Sequence, residues 1–338
     1  MSYDELLDRL ATDEERRTVT ALPDGSVDIY YTAYDVNGEQ IEDRETLAKR
    51  IVEDPPAFPV TRQSVEPGGQ SVNAAIQADA LGDDVHLFGH LDHPVFESLE
   101  FETTSMGSPS QVAVYPMDED VLFAERSEEL AEWTLDDFRV AADDFENRLE
   151  ADVVCLGNWV SVPGMTEAIR ELAEALLDGN VLLFDPGPIT IRSKEEIREL
   201  FDALSKLESN YDVILSVNGS ELAAGAAALG HDGDSREQLS GLQRETGITA
   251  AVVHTTNEAT AATGTGIVCV ANRSVENPAR ETGAGDRFGA GLAHALARDW
   301  NWKSALALGN VCGAYYVENV ETATRETIYE WFKDQNYS

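Results

Sequence analysis

From residue 134 onwards the apolar and polar positions alternate between two periods. Over 134–149, 165–177 and 194–208 apolar side chains recur every three or four residues, the spacing that lines one face of a helix. Between these stretches stand short unbroken apolar runs: Val153-Val154-Cys155-Leu156, then 181–184, then 213–215. A short apolar run bounded by polar residues reads as a strand covered on both faces. Strand and helix in alternation predict βα units, hence a parallel sheet with helices on both sides. Ligands of such sheets bind beyond the carboxyl ends of the strands. Two polar groups follow strands there, Asp185-Pro186-Gly187 and Asn218-Gly219-Ser220-Glu221.

The chain before this point is less regular. Residues 1–20 read as a charged helical lead-in at the periphery. After the turn Pro23-Asp24-Gly25-Ser26, the β-branched and aromatic run 27–34 reads as a strand. Residues 35–65 are polar and carry Pro55, Pro56 and Pro59, which predicts a loop with short strands. Gly68-Gly69 opens an apolar helix over 72–81 that Gly82 ends. Strands follow at 85–89, 111–115 and 121–124. Late in the chain come a strand at 250–254, a hairpin of 259–263 and 266–270 around Gly264, and helices at 284–298, 302–317 and 324–333.

Composition narrows the function classes. The 338 residues are 43% hydrophobic, ample for one large domain with an excursion. The apolar runs fall far short of a transmembrane span, and the polar residues 1–17 do not read as a signal peptide. Cys155, Cys269 and Cys312 lie far apart in apolar segments and read as reduced core residues of a cytoplasmic protein. His90 and His93, either side of Asp92, read as surface loop histidines. Acidic residues number 63 against 24 basic, a net charge of −39. Such a surface repels nucleic acid and anionic membranes. It also works against compactness unless screened, and the Debye length shrinks to about 3 Å at 1 M salt. The acidic excess therefore predicts a salt-loving source organism, with the acids spread over the surface.

The most specific stretch is Thr282-Gly283-Ala284-Gly285-Asp286, which opens the Ala-rich helix over 284–298. A helix start presents unpaired N–H groups and the positive end of the macrodipole. Glycines let a phosphate approach those groups. Asp286 is then either an ordinary cap or a base that takes a proton from an attacking hydroxyl. The dinucleotide fingerprint G-x-G-x-x-G fails at Phe288, and the P-loop fails because no Gly-Lys pair occurs. A Gly/Ala-rich helix start packed on a neighbour is the bland alternative. Asn218 and Glu221 share a helix face. They form a capping box in one reading and a sparse magnesium and phosphate site in the other. Asp28 interrupts an apolar strand, either facing solvent or holding a ligand.

Thr282-Gly283-Ala284-Gly285-Asp286 resembles the second signature of the ribokinase-like (PfkB) sugar and nucleoside kinases, D-[TS]-x-G-A-G-D. The G-A-G-D core matches in full, while Arg280 and Glu281 stand in place of the leading pair. Gly68-Gly69-Gln70-Ser71-Val72-Asn73-Ala74-Ala75 is similar to the first signature, G-G-x-x-x-N-x-A, and Asn218-Gly219-Ser220-Glu221 to the N-x-x-E motif. Gly25-Ser26-Val27-Asp28 resembles the start that puts an Asp on the first strand, one residue tighter. Thr255-Thr256-Asn257-Glu258 lacks the first glycine of a nucleotide-holding turn, and the segment after Gly89 is shortened.

The resemblance spans residues 25–317. It implies an α/β fold, a three-layer α/β/α sandwich with a central, mostly parallel sheet. One kinase domain, 1–338, would carry a small β-lid formed by segments within 28–66 and 108–125. It implies ATP-dependent transfer of the γ-phosphate to a hydroxyl of a sugar or sugar-like molecule. Asp28, Gly68, Gly69 and Asn73 would hold the substrate. Asp286 would be the base, with an anion hole at Gly283, Ala284, Gly285 and Asp286. Asn218 and Glu221 would hold Mg²⁺, and Asn218, Thr255 and Asn310 would line the ATP site. A nucleoside acceptor, favoured by Tyr30, Tyr31 and Tyr34, and a non-catalytic binding protein on the same scaffold are the alternatives. Lids in this family often pair, which implies a homodimer through the lid.

The charge predicts that the thermal unfolding midpoint and the activity both rise as KCl is taken into the molar range. A midpoint that stays flat or falls with salt, followed by circular dichroism, contradicts this.

Overall fold

The computed structural model describes residues 2–335 apart from 14, 54–56, 119 and 277, so Pro55 and Pro56 of the expected loop lie outside the described residues. The strands, in chain order, are β1 (Thr18–Leu22), β2 (Ser26–Ala33), β3 (Val60–Gly68), β4 (Asp84–Gly89), β5 (Glu102–Ser105), β6 (Ser110–Tyr115), β7 (Val121–Ala124), β8 (Val153–Gly157), β9 (Val181–Asp185), β10 (Asp212–Asn218), β11 (Ala250–His254), β12 (Glu258–Thr263) and β13 (Gly266–Ala271). Nine of them make one sheet in the order β13-β12-β11-β10-β9-β8-β1-β4-β5, and the order β3-β2-β6-β7 makes a second, smaller sheet. From β11 to β5 every pair is parallel, and only the β11–β12 and β12–β13 pairs are antiparallel.

The apolar runs explain the layering. Successive strand residues point to opposite faces. On one face Leu87, Cys155, Leu183 and Val252 pack with the helices Gln70–Ala80, Ala284–Leu296 and Trp302–Asn319. On the other, Phe88, Leu156, Phe184 and Leu215 pack with the helices Met165–Glu174, Lys194–Leu207 and Ser235–Thr246. Each such side chain contributes roughly 1.5–3 kcal/mol when fully buried. The result is the expected three-layer α/β/α sandwich with a mostly parallel sheet. Among the described residues no helix is long and apolar enough to cross a membrane. The cysteines are free, with Cys155 and Cys312 buried and Cys269 half-buried.

The N-terminal third departs from expectation in several places. The described residues of the lead-in 1–20 are not peripheral. The helix Ser2–Thr12 buries Leu6 and Leu10 in the core, and Tyr3 donates to the Ala271 carbonyl on β13 at 2.7 Å. After that helix, β1 lies inside the sheet between β8 and β4, third from the β5 edge. Its short Thr-Val-Thr-Ala-Leu run follows the charged pair Arg16-Arg17, which hid it. The polar stretch 35–65 contains a helix, Arg44–Glu53, whose Leu47 packs with Ala33 and Ile41. The crossover from β4 to β5 is a single 3-10 turn, Pro94–Ser98, in place of a full helix. The helix expected over 134–149 is two, Leu135–Ala141 and Phe145–Leu149. Asp143 and Asp144 lie at the break, where short acids compete with helix hydrogen bonds and favour caps.

A buried charge cluster anchors the rear of the helix Ala284–Leu296. Asp83, just before β4, lies 2.7 Å from Arg298 Nη2 and 2.7 Å from His294 Nδ1, and its side chain is fully buried. Burial alone would raise the Asp83 pKa, but His294 and Arg298 outweigh it and hold the carboxyl below its usual range. Its stabilising contribution is therefore complete above the ordinary carboxylate pKa and is lost as pH falls through the lower folded-state value. Asp83→Ala strands Arg298 in the interior and should destabilise the fold by about 3–5 kcal/mol. Urea unfolding at neutral pH checks this, and a loss below about 1 kcal/mol would mean that the cluster relaxes freely.

Candidate active site

The carboxyl ends of β1, β8, β9, β10 and β11 face the starts of three helices, Gln70–Ala80, Gly219–Leu229 and Ala284–Leu296. Between them lies a cavity of about 530 Å³. Its wall includes the expected residues Ala284, Gly285, Asp286, Asn218, Glu221, Thr255 and Asn310. Gln70, Asp185 and His254 line it as well.

The helix Ala284–Leu296 begins at Gly283, whose φ of 87° lies in the left-handed region that suits glycine. A Cβ there would also stand 2.7 Å from Arg287 Nη1. Arg287 is buried, donates from Nη1 to the Gly283 carbonyl at 2.9 Å, and stacks 3.6 Å from the centre of the Tyr316 ring. The Ala284 N–H donates to the Glu281 carbonyl at 3.1 Å, and the amides of Gly285 and Asp286 follow in the open first turn.

Asn73 joins the two signature segments. Its Nδ2 donates to Asp286 Oδ2 at 2.8 Å. Burial raises the Asp286 pKa, while the Asn73 bond and the Arg287 charge hold it down in part. Asp28, on β2, faces the same region and is buried. The Ser26 hydroxyl donates to its Oδ1 at 2.6 Å. Burial, helped by the charges of Asp286, Asp24 and Glu66, pushes the Asp28 pKa up to about 6. Gly68 leaves room for this carboxyl, since a Cβ there would stand 2.2 Å from Asp28 Cγ. Asp28 thus does not face solvent: Gly68 packs against its carboxyl, while Gly69 lies beside Asp24 and Asn73 reaches Asp286.

Asp24 is a site residue that sequence reasoning missed. It is 1% exposed and accepts from Gln70 N at 3.0 Å, Ser71 N at 2.8 Å and Asn158 Nδ2 at 2.9 Å. Gly69, the N-cap of the helix Gln70–Ala80, has no side chain, so Asp24 caps the helix from the end of β1. In the sequence Asp24 is one residue of a turn, and a cap supplied from so far along the chain leaves no local pattern. Gln70 is a second omission: its Nε2 donates to Asp185 Oδ1 at 2.7 Å. His90 corrects the expectation of a surface histidine. It is 2% exposed and its Nδ1 donates to the Pro23 carbonyl at 3.0 Å, whereas His93 is exposed and caps the 3-10 turn.

On the far wall Asn218 and Glu221 form a capping box. Asn218 Oδ1 accepts from Ser220 N, Glu221 N and the Ser220 hydroxyl, and Glu221 Oε2 accepts from Asn218 N. Burial, with the Asp286 charge, pushes the buried Glu221 up to about 7 against the opposing Asn218 bonds. Burial and then the charges of Glu221 and Asp286 raise Asp185 well above the carboxylate range. Burial likewise pushes His254 down to about 4, so it stays neutral. The Thr255 hydroxyl donates to the Glu258 carbonyl at 2.8 Å, and Asn310 Nδ2 donates to the Val270 carbonyl at 3.2 Å. Among the described residues no three His, Cys, Asp or Glu side chains stand close enough to hold a metal by themselves.

Residues 39–335 match the model of the prokaryotic ketohexokinase family. The chain is 25% identical over 312 residues to the ketohexokinase of Haloferax volcanii, covering 86% of this chain and 82% of that one. That relative comes from a halophilic archaeon, in agreement with the source expected from the charge. Among solved structures, the ribokinase of Thermotoga maritima superposes with a TM-score of 0.67 at 18% identity, covering 94% of this chain and 98% of that one. The fructokinase of Xylella fastidiosa, solved with bound ATP, gives 0.68 at 15% identity over 95% and 100%.

Asp24→Ala leaves two helix amides and the Asn158 amide without their acceptor. The fold should lose at least about 1–3 kcal/mol. Denaturant unfolding of Asp24→Ala reads this loss, and an unchanged midpoint would remove Asp24 from the role of cap.

Proposed function

The chain belongs to the prokaryotic ketohexokinase family and is an ATP-dependent carbohydrate kinase, and we propose that its acceptor is a ketohexose held between Asp28, Asn73 and Asp286. The observation that carries this reading is the 2.8 Å bond from Asn73 to Asp286. It brings the substrate-side helix and the anion-binding helix to one carboxylate. Phosphoryl transfer has a loose transition state, so the protein mainly positions groups and stabilises charge.

In this reading Asp286 accepts the hydroxyl proton as the oxygen bonds to phosphorus. The Asn73 amide engages Oδ2 and so holds the carboxylate in place for the acceptor. Asp28 binds acceptor hydroxyls, backed by Gly68 and Gly69. The amides of Gly283, Ala284, Gly285 and Asp286 stabilise the transferring group as an anion hole. Ala284 must first release the Glu281 carbonyl to join them. Thr255 and Asn310 line the nucleotide end of the cavity.

The donor set fits magnesium. Magnesium keeps several waters and needs few carboxylates, and Glu221 is a hard oxygen donor whose charge is opposed by burial and by Asp286, a repulsion that a cation would relieve. Glu221 would hold the ion. Asn218 Oδ1 is engaged by three donors, which leaves Asn218 Nδ2 for a phosphate oxygen. Bound there, Mg²⁺ supplies charge neutralisation on the phosphates.

The tyrosines do not single out a nucleoside acceptor. Tyr30 is covered by the Arg280 guanidinium 3.8 Å from its centre, Tyr31 stacks on Tyr115 at 5.6 Å, and Tyr34 lies in a bridge to Gln40. The small sheet acts as the lid of a single kinase domain. Its Tyr31, Tyr115 and Phe123 form a linked aromatic row, with Phe123 58% exposed, which supports a homodimer through that surface. The free cysteines suit a reducing cytoplasm, and the acidic surface suits small-molecule partners over nucleic acid or membrane.

Ketohexose-dependent ADP formation in molar KCl with Mg²⁺ tests the reading. Asp286→Asn should lower kcat by orders of magnitude and leave ATP affinity nearly intact; an unchanged kcat excludes Asp286 as the base. Because a base works ionised and the Asp286 pKa is raised, kcat/KM should fall on acidification with a limb above the usual aspartate value of about 3.9.

A further inference from the structure

The residues leading into Gly283 depart from the kinase signature at Arg280, and Arg280 makes contacts that the phosphate chemistry does not call for. Its Nη1 lies 2.7 Å from Glu66 Oε2 on β3 and also donates to the Tyr316 hydroxyl at 3.4 Å. Its guanidinium carbon stands 3.8 Å from the centre of the Tyr30 ring on β2. Two residues on, Thr282 donates from its amide and its hydroxyl to Asp120 Oδ2, at 3.1 and 2.5 Å. Asp120 lies in the turn between β6 and β7. The lead-in to the anion loop thus grips the small sheet toward both of its edges, at β3 and beside β7.

The grip at β3 bears directly on Asp28. Glu66 is the register partner of Asp28 across the β2–β3 pair. A hold on Glu66 therefore fixes the strand pair that carries Asp28 near Asp286. The ion pair is partly shielded, with the Arg280 side chain 12% and the Glu66 side chain 36% exposed. Burial works against the Glu66 charge, yet Arg280 and then Ser64 outweigh it and keep the carboxyl below its usual range. The ring of Tyr30 adds a cation–π contact on the flat face of the guanidinium. Only arginine can pair edge-on with a carboxylate and stack face-on upon a ring together, so lysine is a poor replacement.

We propose that Arg280 is a positioning residue: through Glu66 and Tyr30 it holds the Asp28 face of the small sheet over the 283–286 loop, so that the acceptor site is aligned before the acceptor arrives. This rests on the reading of Asp28 as an acceptor contact. Arg280 itself touches no reacting atom. It acts by setting the distance between two groups that do, and alignment of that kind is where binding energy turns into rate.

Arg280→Ala, Glu66→Gln and the double variant are compared with the wild type. Hydrogen–deuterium exchange of the ligand-free proteins comes first. Peptides covering 26–33 and 60–68 should exchange about tenfold faster in either single variant, and the double variant should be no worse, because the two residues act as one unit. Peptides covering 181–185 and 250–254 should not change. Unchanged exchange in the small sheet overturns the proposal. Should Arg280→Ala loosen the main sheet as well, Arg280→Lys carries the same comparison. Kinetics follow. The KM for the ketohexose should rise about tenfold with the KM for ATP unmoved, and Arg280→Lys should recover only part of the loss. Faster exchange with an unchanged ketohexose KM overturns the positioning role. A wild type that phosphorylates no ketohexose counts against the acceptor reading alone, and the exchange comparison still decides whether Arg280 holds the sheet.

Discussion

Burial of crowded carboxylates governs the site. Asp24, Asp28, Asp185, Glu221 and Asp286 gather at the carboxyl edge of the main sheet, and most are raised in pKa by burial and by one another. Few cations offset them directly: Arg287 is close to Asp286, and Arg280 is taken by Glu66. The arrangement holds because neutral donors do the work. Two backbone amides and Asn158 serve Asp24, Ser26 serves Asp28, Gln70 serves Asp185, and Asn73 serves Asp286. Neutral donors fix oxygen positions without cancelling charge. The site therefore keeps a negative potential that a cation and its phosphates can enter, while each carboxylate stays in place.

The same economy explains the backbone. A left-handed Gly283 lets the helix start turn its amides toward the cavity, and Gly68 removes a methyl that would collide with Asp28. Both glycines stand beside the carboxylates whose positions matter most. The buried Asp83–Arg298 pair works at the opposite end of the helix that carries Asp286. One end of that helix is open to ligands, and the other is tied into the interior.

Much of this was legible in the sequence because the signals were local. The apolar runs at 153–156, 181–184 and 213–215 and the helical periods between them dictate the layers. The Gly-Ala-Gly-Asp and Gly-Gly-x-x-x-Asn segments mark the two helix starts that meet at Asp286. What stayed hidden was non-local or masked. Asp24 caps a helix on another segment. Gln70 matters through a strand end that is distant in the chain. The strand β1 is too short and too close to charged residues for its pattern to stand out. His90 was misjudged because a histidine beside an aspartate resembles a loop, and only the fold reveals the carbonyl of Pro23 beneath it. The departure at Arg280 looked like a loss from a signature, and its partners lie on a different sheet.

The place of β1 has a consequence for how the chain folds. From β8 to β13 the strands are added in chain order, each beside the one before. That half can grow by local pairing, which is kinetically easy. By contrast β1 must pair with β4 on one side, Thr18 opposite Asp84, and with β8 on the other, Val19 opposite Val153. It is the seam between an early and a late portion of the polypeptide, and its closure needs contacts between residues far apart along the chain. Asp24 sits just past that seam, and the helix it caps carries Asn73. Until β1 is zipped into place, Asp286 has its helix but lacks its partner from the other half. The pocket thus joins both sides of that seam, with Asn73 from the early portion bonded to Asp286 from the late one.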